Sequence, residues 1–207
     1  MSLAHISDHP LVRHKLTRLR DSRTDHRTFR ELVREITLLL SYEATRDMTV
    51  RPKSVTTPMG QAEGVELDET IGLIPIMRAG IGMVDGIMEL LPSAQVWHIG
   101  VYRDEHTLRP VQYYNKLPSA PTVQICIVLD PMLATGGSAI ATVDILKAWG
   151  VKNIKFMGLI AAPEGVAALT SKHPDVPIYL AALDERLNDI GFIVPGLGDA
   201  GDRMFGT

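Results

Sequence analysis

The chain has 207 residues, 45% of them hydrophobic and 22% charged, a composition typical of a single folded domain rather than of a disordered chain. Its 17 glycines and 13 prolines follow no triplet period, its one cysteine (Cys126) allows no internal disulfide, and no apolar run approaches the roughly 18 residues of a membrane span. The first twenty residues lack a continuous apolar segment, so we expect no secretory signal and a cytoplasmic protein.

Charge divides the chain into two regions. Residues 1–53 hold 11 Lys and Arg against 7 Asp and Glu, whereas residues 54–207 hold 10 against 17. The basic region alternates Arg with acidic residues and contains only two aromatic residues, Phe29 and Tyr42. This pattern favours a solvated or subunit-packing helical arm over 1–53 in preference to a nucleic-acid-binding one.

The first predicted elements are a helix and a hairpin. Apolar residues recur at three- and four-residue steps between Asp25 and Arg46, which predicts an amphipathic helix. Short β-type segments around prolines and glycines predict a hairpin over residues 48–67.

The rest of the chain, residues 68–207, alternates apolar runs with helical segments. The predicted strands are Ile71–Ile76, Val96–Val101, Ile125–Leu129, Ile154–Ala162 and Ile178–Leu183. The predicted helices between them are Gly80–Leu91, Gly137–Trp149 with Gly150 as its C-cap, and Glu164–Lys172. Such alternation predicts an α/β fold, with an open parallel sheet covered by helices on both faces.

Residues 102–122 break this alternation. They are too polar and too rich in proline for a helix, so we predict an excursion from the sheet that includes a flexible flap over Arg103–Leu108. We expect the flap to close over a bound ligand and exclude water.

Three segments should meet at one edge of the sheet, because ligands in open α/β sheets bind beyond the carboxyl ends of the strands. These segments are Pro75–Gly82, Tyr102–Thr107 and Asp130–Ser138.

The strongest motif is Asp-Pro-Met-Leu-Ala-Thr-Gly-Gly-Ser at 130–138, between a strand and a helix. Its Thr-Gly-Gly-Ser turn exposes backbone N–H groups at the helix start, which suits a phosphate, and Asp130 is placed to accept hydrogen bonds from sugar hydroxyls. The alternative is a simple turn in which Asp130 caps the helix. A Walker loop is excluded because no Gly-Lys pair occurs.

The remaining signals are weaker. Arg78 follows a strand among apolar and small residues, where a cation requires a buried anionic partner: either a ligand or a structural carboxylate. Arg103 is either a ligand-closing cation or an ordinary surface arginine. Glycine patterns at 80–86 and 196–201 suggest a dinucleotide site, but the first has its third glycine one place late and the second precedes only six residues, too few for another helix or sheet unit. No metal-ligand spacing is present among the histidines.

Taken together, these motifs carry a resemblance to a known family. The 130–138 block resembles the phosphoribosyl-diphosphate-binding motif of type I phosphoribosyltransferases, in the form typical of the uracil phosphoribosyltransferase family. Pro-Ile-Met-Arg-Ala-Gly at 75–80, Tyr-Arg-Asp-Glu at 102–105 and the segment 193–206 agree with it. Most type I relatives have two adjacent acids where this chain has Asp130 and Pro131, a departure that is typical of the uracil branch.

The resemblance implies one type I phosphoribosyltransferase domain over 1–207 that converts uracil and phosphoribosyl diphosphate into UMP and diphosphate. In this reading Asp130 binds the ribose, Arg78 and Arg103 hold the diphosphate, and Asp130 and Arg103 act in catalysis by positioning and charge stabilisation. The implied phosphoribosyl-diphosphate-binding residues are Arg78, Arg103, Asp130, Pro131, Met132, Leu133, Ala134, Thr135, Gly136, Gly137, Ser138 and Asp199. The implied uracil-binding residues are Ile193, Gly198, Asp199 and Ala200.

The resemblance also implies partners. Mg²⁺ is expected mainly on the diphosphate, near Asp199, with no direct protein metal site. A homo-oligomer of two or more subunits is expected, GTP is a candidate effector because it activates some members, and neither nucleic acid nor a membrane is an expected partner. Because the predicted core strands end at residue 183, we expect that residues 196–207 can be removed without unfolding the sheet.

Three other functions remain open at this point. A type I transferase for another base would share the phosphate loop but lack the Gly-Leu-Gly-Asp-Ala-Gly loop at 196–201. A pyrimidine-responsive RNA-binding regulator of the same fold would use the basic arm, and a nicotinamide dehydrogenase would require cofactor binding.

Overall fold

The computed structural model describes residues 4–103 and 110–207, without the side chains of 102, 103 and 110–112. Its helices are α1 (Pro10–Arg20), α2 (His26–Ala44), α3 (Ile81–Met88), α4 (Gly137–Trp149), α5 (Pro163–Lys172) and α6 (Ala200–Phe205). Its strands are β1 (Ala4–Ile6), β2 (Val50–Thr57), β3 (Gly60–Leu67), β4 (Ile71–Met77), β5 (Gln95–Val96), β6 (Ile99–Arg103), β7 (Pro110–Asn115), β8 (Ile125–Leu129), β9 (Met132–Leu133), β10 (Asn153–Ala161), β11 (Ile178–Leu183), β12 (Arg186–Leu187) and β13 (Ile193–Val194).

The main sheet has the order β1-β11-β10-β8-β4-β6-β7, with β5 beside β4 and β9 beside β10. All its pairs are parallel except β6 with β7. The prediction of an open, mainly parallel sheet is therefore confirmed.

Helices cover both faces of this sheet, and β8 shows how. Ile125, Ile127 and Leu129 lie in one apolar cluster together with α1, α2 and α3, whereas Cys126 and Val128 lie in a second cluster together with α4 and α5. Successive side chains of a strand point to opposite faces, so a strand covered on both sides must be apolar at every position. This explains why the central strands read as unbroken apolar runs.

The N-terminal arm packs onto one face through α1 and α2. As predicted, α2 is amphipathic, and its core-facing stripe includes Phe29, Ile36 and Leu40, which are fully buried. Asp25 caps it by accepting a hydrogen bond from the Thr28 N–H at 3.0 Å. Sequence reasoning did not identify β1, a three-residue edge strand that pairs in parallel with β11.

The predicted hairpin over 48–67 is present as β2 and β3, which pair with each other and with no other described strand, in an antiparallel ribbon. The prediction of one strand over 96–101 needs correction, because β5 and β6 pair with different parts of β4.

The predicted excursion over 102–122 is also partly wrong. Pro110–Asn115 forms β7, the antiparallel edge of the main sheet, where a proline at the first strand residue is tolerated. The proposed flap falls largely on residues 104–109, which lie outside the described part of the chain, and so remains a prediction. Within the described residues, no helix has the length and apolar composition needed to cross a membrane.

Candidate active site at the switch point of the sheet

The candidate site lies where the sheet changes winding direction, between β4 and β8. From β4 the chain passes through α3 on one face towards β6, and from β8 it passes through α4 on the other face towards β10. The loops after these two adjacent strands therefore separate, and a crevice opens beyond their carboxyl ends. Two of the three predicted segments, those after β4 and β8, meet at this point. The third, Tyr102–Thr107, includes the last two residues of β6, the other neighbour of β4, and its residues 104–107 lie outside the described part of the chain.

The predicted phosphate loop follows β8. Asp130 is tied to β10 by its N–H, which donates to the Met157 carbonyl at 3.2 Å, and β9 then pairs with β10. Gly136 has φ +83°, the left-handed region that favours glycine, and α4 begins at the next residue. A small cavity of about 90 Å³ lies inside this turn and is lined by Asp130 and residues 132–139.

The N-terminus of α4 is open towards this cavity. Its cap, Gly136, makes no side-chain hydrogen bond, and the first turn carries no acidic residue. The first N–H groups of a helix have no partners within the helix and lie at the positive end of its dipole. The turn can therefore bind an anion, and the alternative in which Asp130 caps this helix is excluded.

The other side of the loop is packed tightly. A Cβ added to Gly165 of α5 would lie 2.4 Å from the Ala134 carbonyl oxygen and 2.5 Å from that of Leu133. Only a glycine allows the α5 backbone this close, so α5 supports the loop from behind. The side chains of Pro131 and Leu133 are buried, which leaves their backbone as the part able to face a ligand.

The carboxylates of Asp130 and Asp199 lie close enough for their charges to interact. Burial raises the pKa of the Asp130 carboxyl to about 7, the hydrogen bond from the Met132 N–H opposes this, and the nearby negative charge of Asp199 adds to it. Two carboxylates therefore border the crevice, one from the end of β8 and one from the C-terminal segment. This arrangement favours a cationic group or hydroxyl donors between them.

Arg78, after β4, does not have the buried surroundings expected from sequence. Its side chain is 59% exposed and forms an ion pair with Asp202 at 3.1 Å, so its partner is an exposed carboxylate. The flanking residues pack away from it, because Gly80 brings the turn against the carboxyl end of β8, where an added Cβ would lie 2.3 Å from the Leu129 oxygen. Arg103 ends β6, and its side chain lies outside the description.

The C-terminal segment reaches the crevice through a hairpin and a short helix. After β13, Gly196 and Gly198 have φ +65° and +81°, and Asp199 caps α6 by accepting the Asp202 N–H at 2.9 Å. Gly198 and Asp199 are exposed, whereas the side chains of Ile193 and Ala200 are buried, so these two can offer only backbone groups.

Two expectations about this segment were wrong. A helix was not expected with so few residues left after the 196–201 glycine pattern, but α6 begins within the pattern at Ala200 and ends at Phe205. Removing residues 196–207 would also damage the core, because Leu197, Ala200 and Met204 lie in the same apolar cluster as α2 and α3.

Sequence reasoning also missed the groups that hold this segment in place. Arg20 and Asp184 form a two-point ion pair, and both bind Gly196, while Arg203 binds the Leu197 carbonyl. Asp184 follows the apolar run Ile178–Leu183 as Asp130 follows β8, and that signal was available. Nothing in the sequence connects residue 20 with residue 184.

The described residues do not gather three or more His, Cys, Asp or Glu side chains in a geometry that would hold a metal ion. The two carboxylates at the crevice nevertheless match the way Mg²⁺ is often bound, through one or two protein carboxylates together with substrate phosphates.

Comparison with known proteins gives one consistent result. The family model described as uracil phosphoribosyltransferase matches residues 6–207. The chain is 61% identical to uracil phosphoribosyltransferase from Roseiflexus sp. (strain RS-1) over 207 residues, with 100% of both chains covered. It is 58% identical to the protein of that name from Geobacillus kaustophilus over 208 residues, again covering 100% of both.

Solved structures agree in fold. A protein from Aquifex aeolicus superimposes with a TM-score of 0.93 at 36% identity, covering 99% of this chain and 98% of that one. A hypoxanthine phosphoribosyltransferase from Trypanosoma cruzi superimposes with a TM-score of 0.53 at 11% identity, covering 76% of this chain and 75% of that one, which shows the shared fold alone. The resemblance seen in the motifs therefore extends over the whole chain, which belongs to the uracil phosphoribosyltransferase family.

Proposed function

We propose that this protein transfers the phosphoribosyl group of 5-phospho-α-D-ribose 1-diphosphate to uracil, giving UMP and diphosphate, a reaction of pyrimidine salvage. The observation that carries the proposal is the meeting of an open helix N-terminus, Asp130 and a glycine-rich C-terminal loop at the switch point of the sheet. Membership of the family supports the same reaction.

Phosphoribosyl diphosphate has three parts to be held. Residues 134–138 would bind the 5′-phosphate through backbone N–H groups and the dipole of α4. The cavity that they line is open, and the first turn of α4 carries no acidic residue. Asp130 would accept hydrogen bonds from the ribose hydroxyls. Arg78 and Arg103 would hold the diphosphate, and the exposed ion pair of Arg78 with Asp202 leaves the guanidinium accessible.

Uracil would lie against the C-terminal loop. Its ring presents an acceptor at each carbonyl and a donor at the nitrogen between them, so backbone N–H and C=O groups of Ile193, Gly198 and Ala200 can pair with it. Gly198 is exposed and at φ +81°, a conformation that brings backbone close to a flat ring without a side chain between them. Cytosine reverses part of the pattern and would leave buried polar groups unpaired.

Mg²⁺ would be carried on the diphosphate and would offset its negative charge. We assign Asp199 to face the ion. The negative charge of Asp199 raises the pKa of Asp130, so a cation bound near both carboxylates would reduce the repulsion between them. Mg²⁺ is often bound through one or two protein carboxylates together with substrate phosphates, which is the arrangement we propose here.

The reaction is a displacement at the anomeric carbon with inversion. The C1–O bond to diphosphate breaks, and its electron pair leaves with the diphosphate. A uracil ring nitrogen forms the new C1–N bond, and the proton of that nitrogen is released to water. Charge develops on the sugar and on the leaving group, so the residues of the site act by aiming the nitrogen and by stabilising those charges.

We further propose that residues 1–207 form one domain and assemble into a homo-oligomer. Residues of the arm and of the sheet core share one apolar cluster, which supports the single domain. The ribbon of β2 and β3 exposes Val50, Val55, Met59, Val65 and Leu67, an apolar surface that supports subunit packing. GTP is the effector we propose, on family resemblance alone, and adding it to the UMP assay tests this.

An RNA-binding role is less well supported. Several cations of the basic arm already pair with carboxylates of this chain, as Lys15 does with Glu35, Arg27 with Glu31 and Arg34 with Glu89. Phosphate binding along this arm would compete with these pairs.

The deciding experiment measures nucleotide formation from phosphoribosyl diphosphate and Mg²⁺ with uracil, cytosine, hypoxanthine and guanine in parallel. We expect UMP and little product from the other bases. Equal use of cytosine, or product only with a purine, would overturn the assignment. RNA binding measured across salt concentrations in the same preparation distinguishes the regulator from the enzyme.

A further inference from the structure

The loop that precedes residues 198–200 is held from outside the crevice by an ion pair. Arg20, the last residue of α1, donates to Asp184 from both terminal nitrogens, with Nη1 lying 2.7 Å from Oδ2 and Nη2 in short contact with Oδ1. The Gly196 N–H donates to the same Oδ2 at 2.9 Å, and Arg20 Nη1 donates to the Gly196 carbonyl at 2.7 Å. Both backbone polar groups of Gly196 are therefore bound to this pair.

The chain can make this contact only with glycine at that position. Gly196 has φ +65°, and an added Cβ would lie 2.1 Å from the Ile193 carbonyl oxygen. The turn is thus folded tightly back on β13, and the ion pair holds both its N–H and its carbonyl.

A second arginine fixes the next residue. Arg203 Nη1 donates to the Leu197 carbonyl at 2.9 Å and to the Leu19 carbonyl at 2.8 Å, and its Nη2 donates to the Asp21 carbonyl at 2.6 Å. Residues 196 and 197 are therefore both tied to the C-terminal end of α1.

We propose that Arg20 and Asp184 are positioning residues that set uracil affinity by fixing residues 196 and 197, so that the backbone at 198–200 faces the base. This role rests on the proposed function. Neither side chain is assigned a contact with substrate. They act through Gly196, which lies between Ile193 and Gly198, two of the residues whose backbone groups would read the base.

The pair is suited to this task because it is buried and directional. The Asp184 side chain is 3% exposed and that of Arg20 is 23% exposed, so water competes little for their hydrogen bonds. The planar guanidinium fixes the angle between its two donors, which an ammonium group cannot do. A glycine-rich loop held by such a pair has one conformation, whereas the same loop without it samples several.

The test uses the full-length chain with four variants: Arg20→Gln, Arg20→Lys, Asp184→Asn and, as the matched control, Arg23→Gln. Arg23 lies in the turn that follows α1 and also pairs with an aspartate, Asp21, but its side chain is 88% exposed and makes no hydrogen bond to the loop among the described residues. Michaelis constants are measured separately for uracil and phosphoribosyl diphosphate, and hydrogen exchange is followed at the amides of 193–200.

Arg20→Gln and Asp184→Asn should raise the KM for uracil by about tenfold to a hundredfold, because a displacement of about 1 Å is enough to disrupt aligned groups. The KM for phosphoribosyl diphosphate should rise less than the KM for uracil, because Asp199 is the only residue assigned to phosphoribosyl diphosphate that lies in the displaced segment. Arg20→Lys should fall between Arg20→Gln and the wild type. Amides of 193–200 should exchange faster in all three, and Arg23→Gln should match the wild type.

Several results would overturn the role. A KM for uracil unchanged in Arg20→Gln, an equal rise in both constants, or wild-type exchange at 193–200 would each show that the pair does not position the base loop. If Arg20→Gln fails to fold, Arg20→Lys decides by the same readouts. A wild-type protein that forms no UMP refutes the proposed function instead, which distinguishes the two failures.

Discussion

Replacing Gly137 by alanine should weaken binding of the 5′-phosphate without lowering the stability of the fold. Gly137 is the first residue of α4 and lines the cavity of the phosphate loop. A Cβ added there meets nothing nearer than the Thr135 Oγ1 at 3.8 Å, so the methyl group fits without moving the protein. The methyl group would occupy part of the cavity in which we place the 5′-phosphate.

The substitution is expected to affect folding stability and phosphate binding in opposite directions. Alanine in place of a helical glycine stabilises by about 0.5–1 kcal/mol when its conformation is compatible, so thermal stability should be unchanged or slightly higher. Displacing the phosphate from one backbone N–H loses a hydrogen bond to a charged group, worth about 1.5–3 kcal/mol. At about 1.4 kcal/mol per factor of ten, the KM for phosphoribosyl diphosphate should rise roughly 10- to 150-fold.

The assay is UMP formation with phosphoribosyl diphosphate varied at saturating uracil, together with a thermal melt. Gly64→Ala in β3 is the control, because its added Cβ meets only the Lys53 carbonyl oxygen at 3.6 Å and lies in the exposed ribbon. A Gly137→Ala protein whose KM matches that of Gly64→Ala would refute the placement of the phosphate in this turn.

Four further predictions follow from three residues. Asp130 has a folded pKa raised to about 7, so the wild-type kcat/KM for phosphoribosyl diphosphate should fall as pH drops through that value and the carboxyl becomes neutral, more steeply than in Asp130→Asn. Ionising the buried Asp130 carboxyl lowers the stability of the wild type as the pH rises from the ordinary pKa of an aspartate through 7. Asp130→Asn should therefore have a higher melting temperature than the wild type above pH 7 and the same melting temperature at about pH 4. Equal melting temperatures above pH 7 would contradict the raised pKa. Met204→Ala should cost about 2–5 kcal/mol in urea unfolding, because Met204 is fully buried in the α2–α3 cluster; a cost below about 1 kcal/mol would mean that α6 is not docked. Gly165→Ala should lower the melting temperature and raise the KM for phosphoribosyl diphosphate together, since its Cβ would lie 2.4 Å from the Ala134 oxygen and must displace the loop; an unchanged melting temperature would show that the loop yields freely.

The strands that were predicted best from the sequence are those whose burial requires an apolar residue at every position. β8 and β11 match their predicted bounds, because strands covered on both faces are apolar at every position. β7 was missed because an edge strand faces water and tolerates Pro110 and polar residues. β1 is only three residues long, too short for any period to register.

The candidate site divides in a similar way. The phosphate turn is a local structure, so consecutive residues revealed it, and its position at a strand end gave the edge of the sheet. The exposure of Arg78 and the pair of Arg20 with Asp184 depend on contacts between distant parts of the chain. Spacing along the sequence contains no information about such contacts, and only the fold supplied them.

The tie between the end of α1 and residues 196–197 also bears on the order in which the protein is built. During synthesis Arg20 emerges long before its partners Asp184 and Gly196, which follow it by 164 and 176 residues. β1 likewise has to wait for β11, its only pairing partner among the described strands. A nascent chain released early would carry the phosphate turn but not the base loop in its final shape. Docking of β1 and α1 against β11 and residues 184–197 is therefore a long-range contact that we expect to form late in folding.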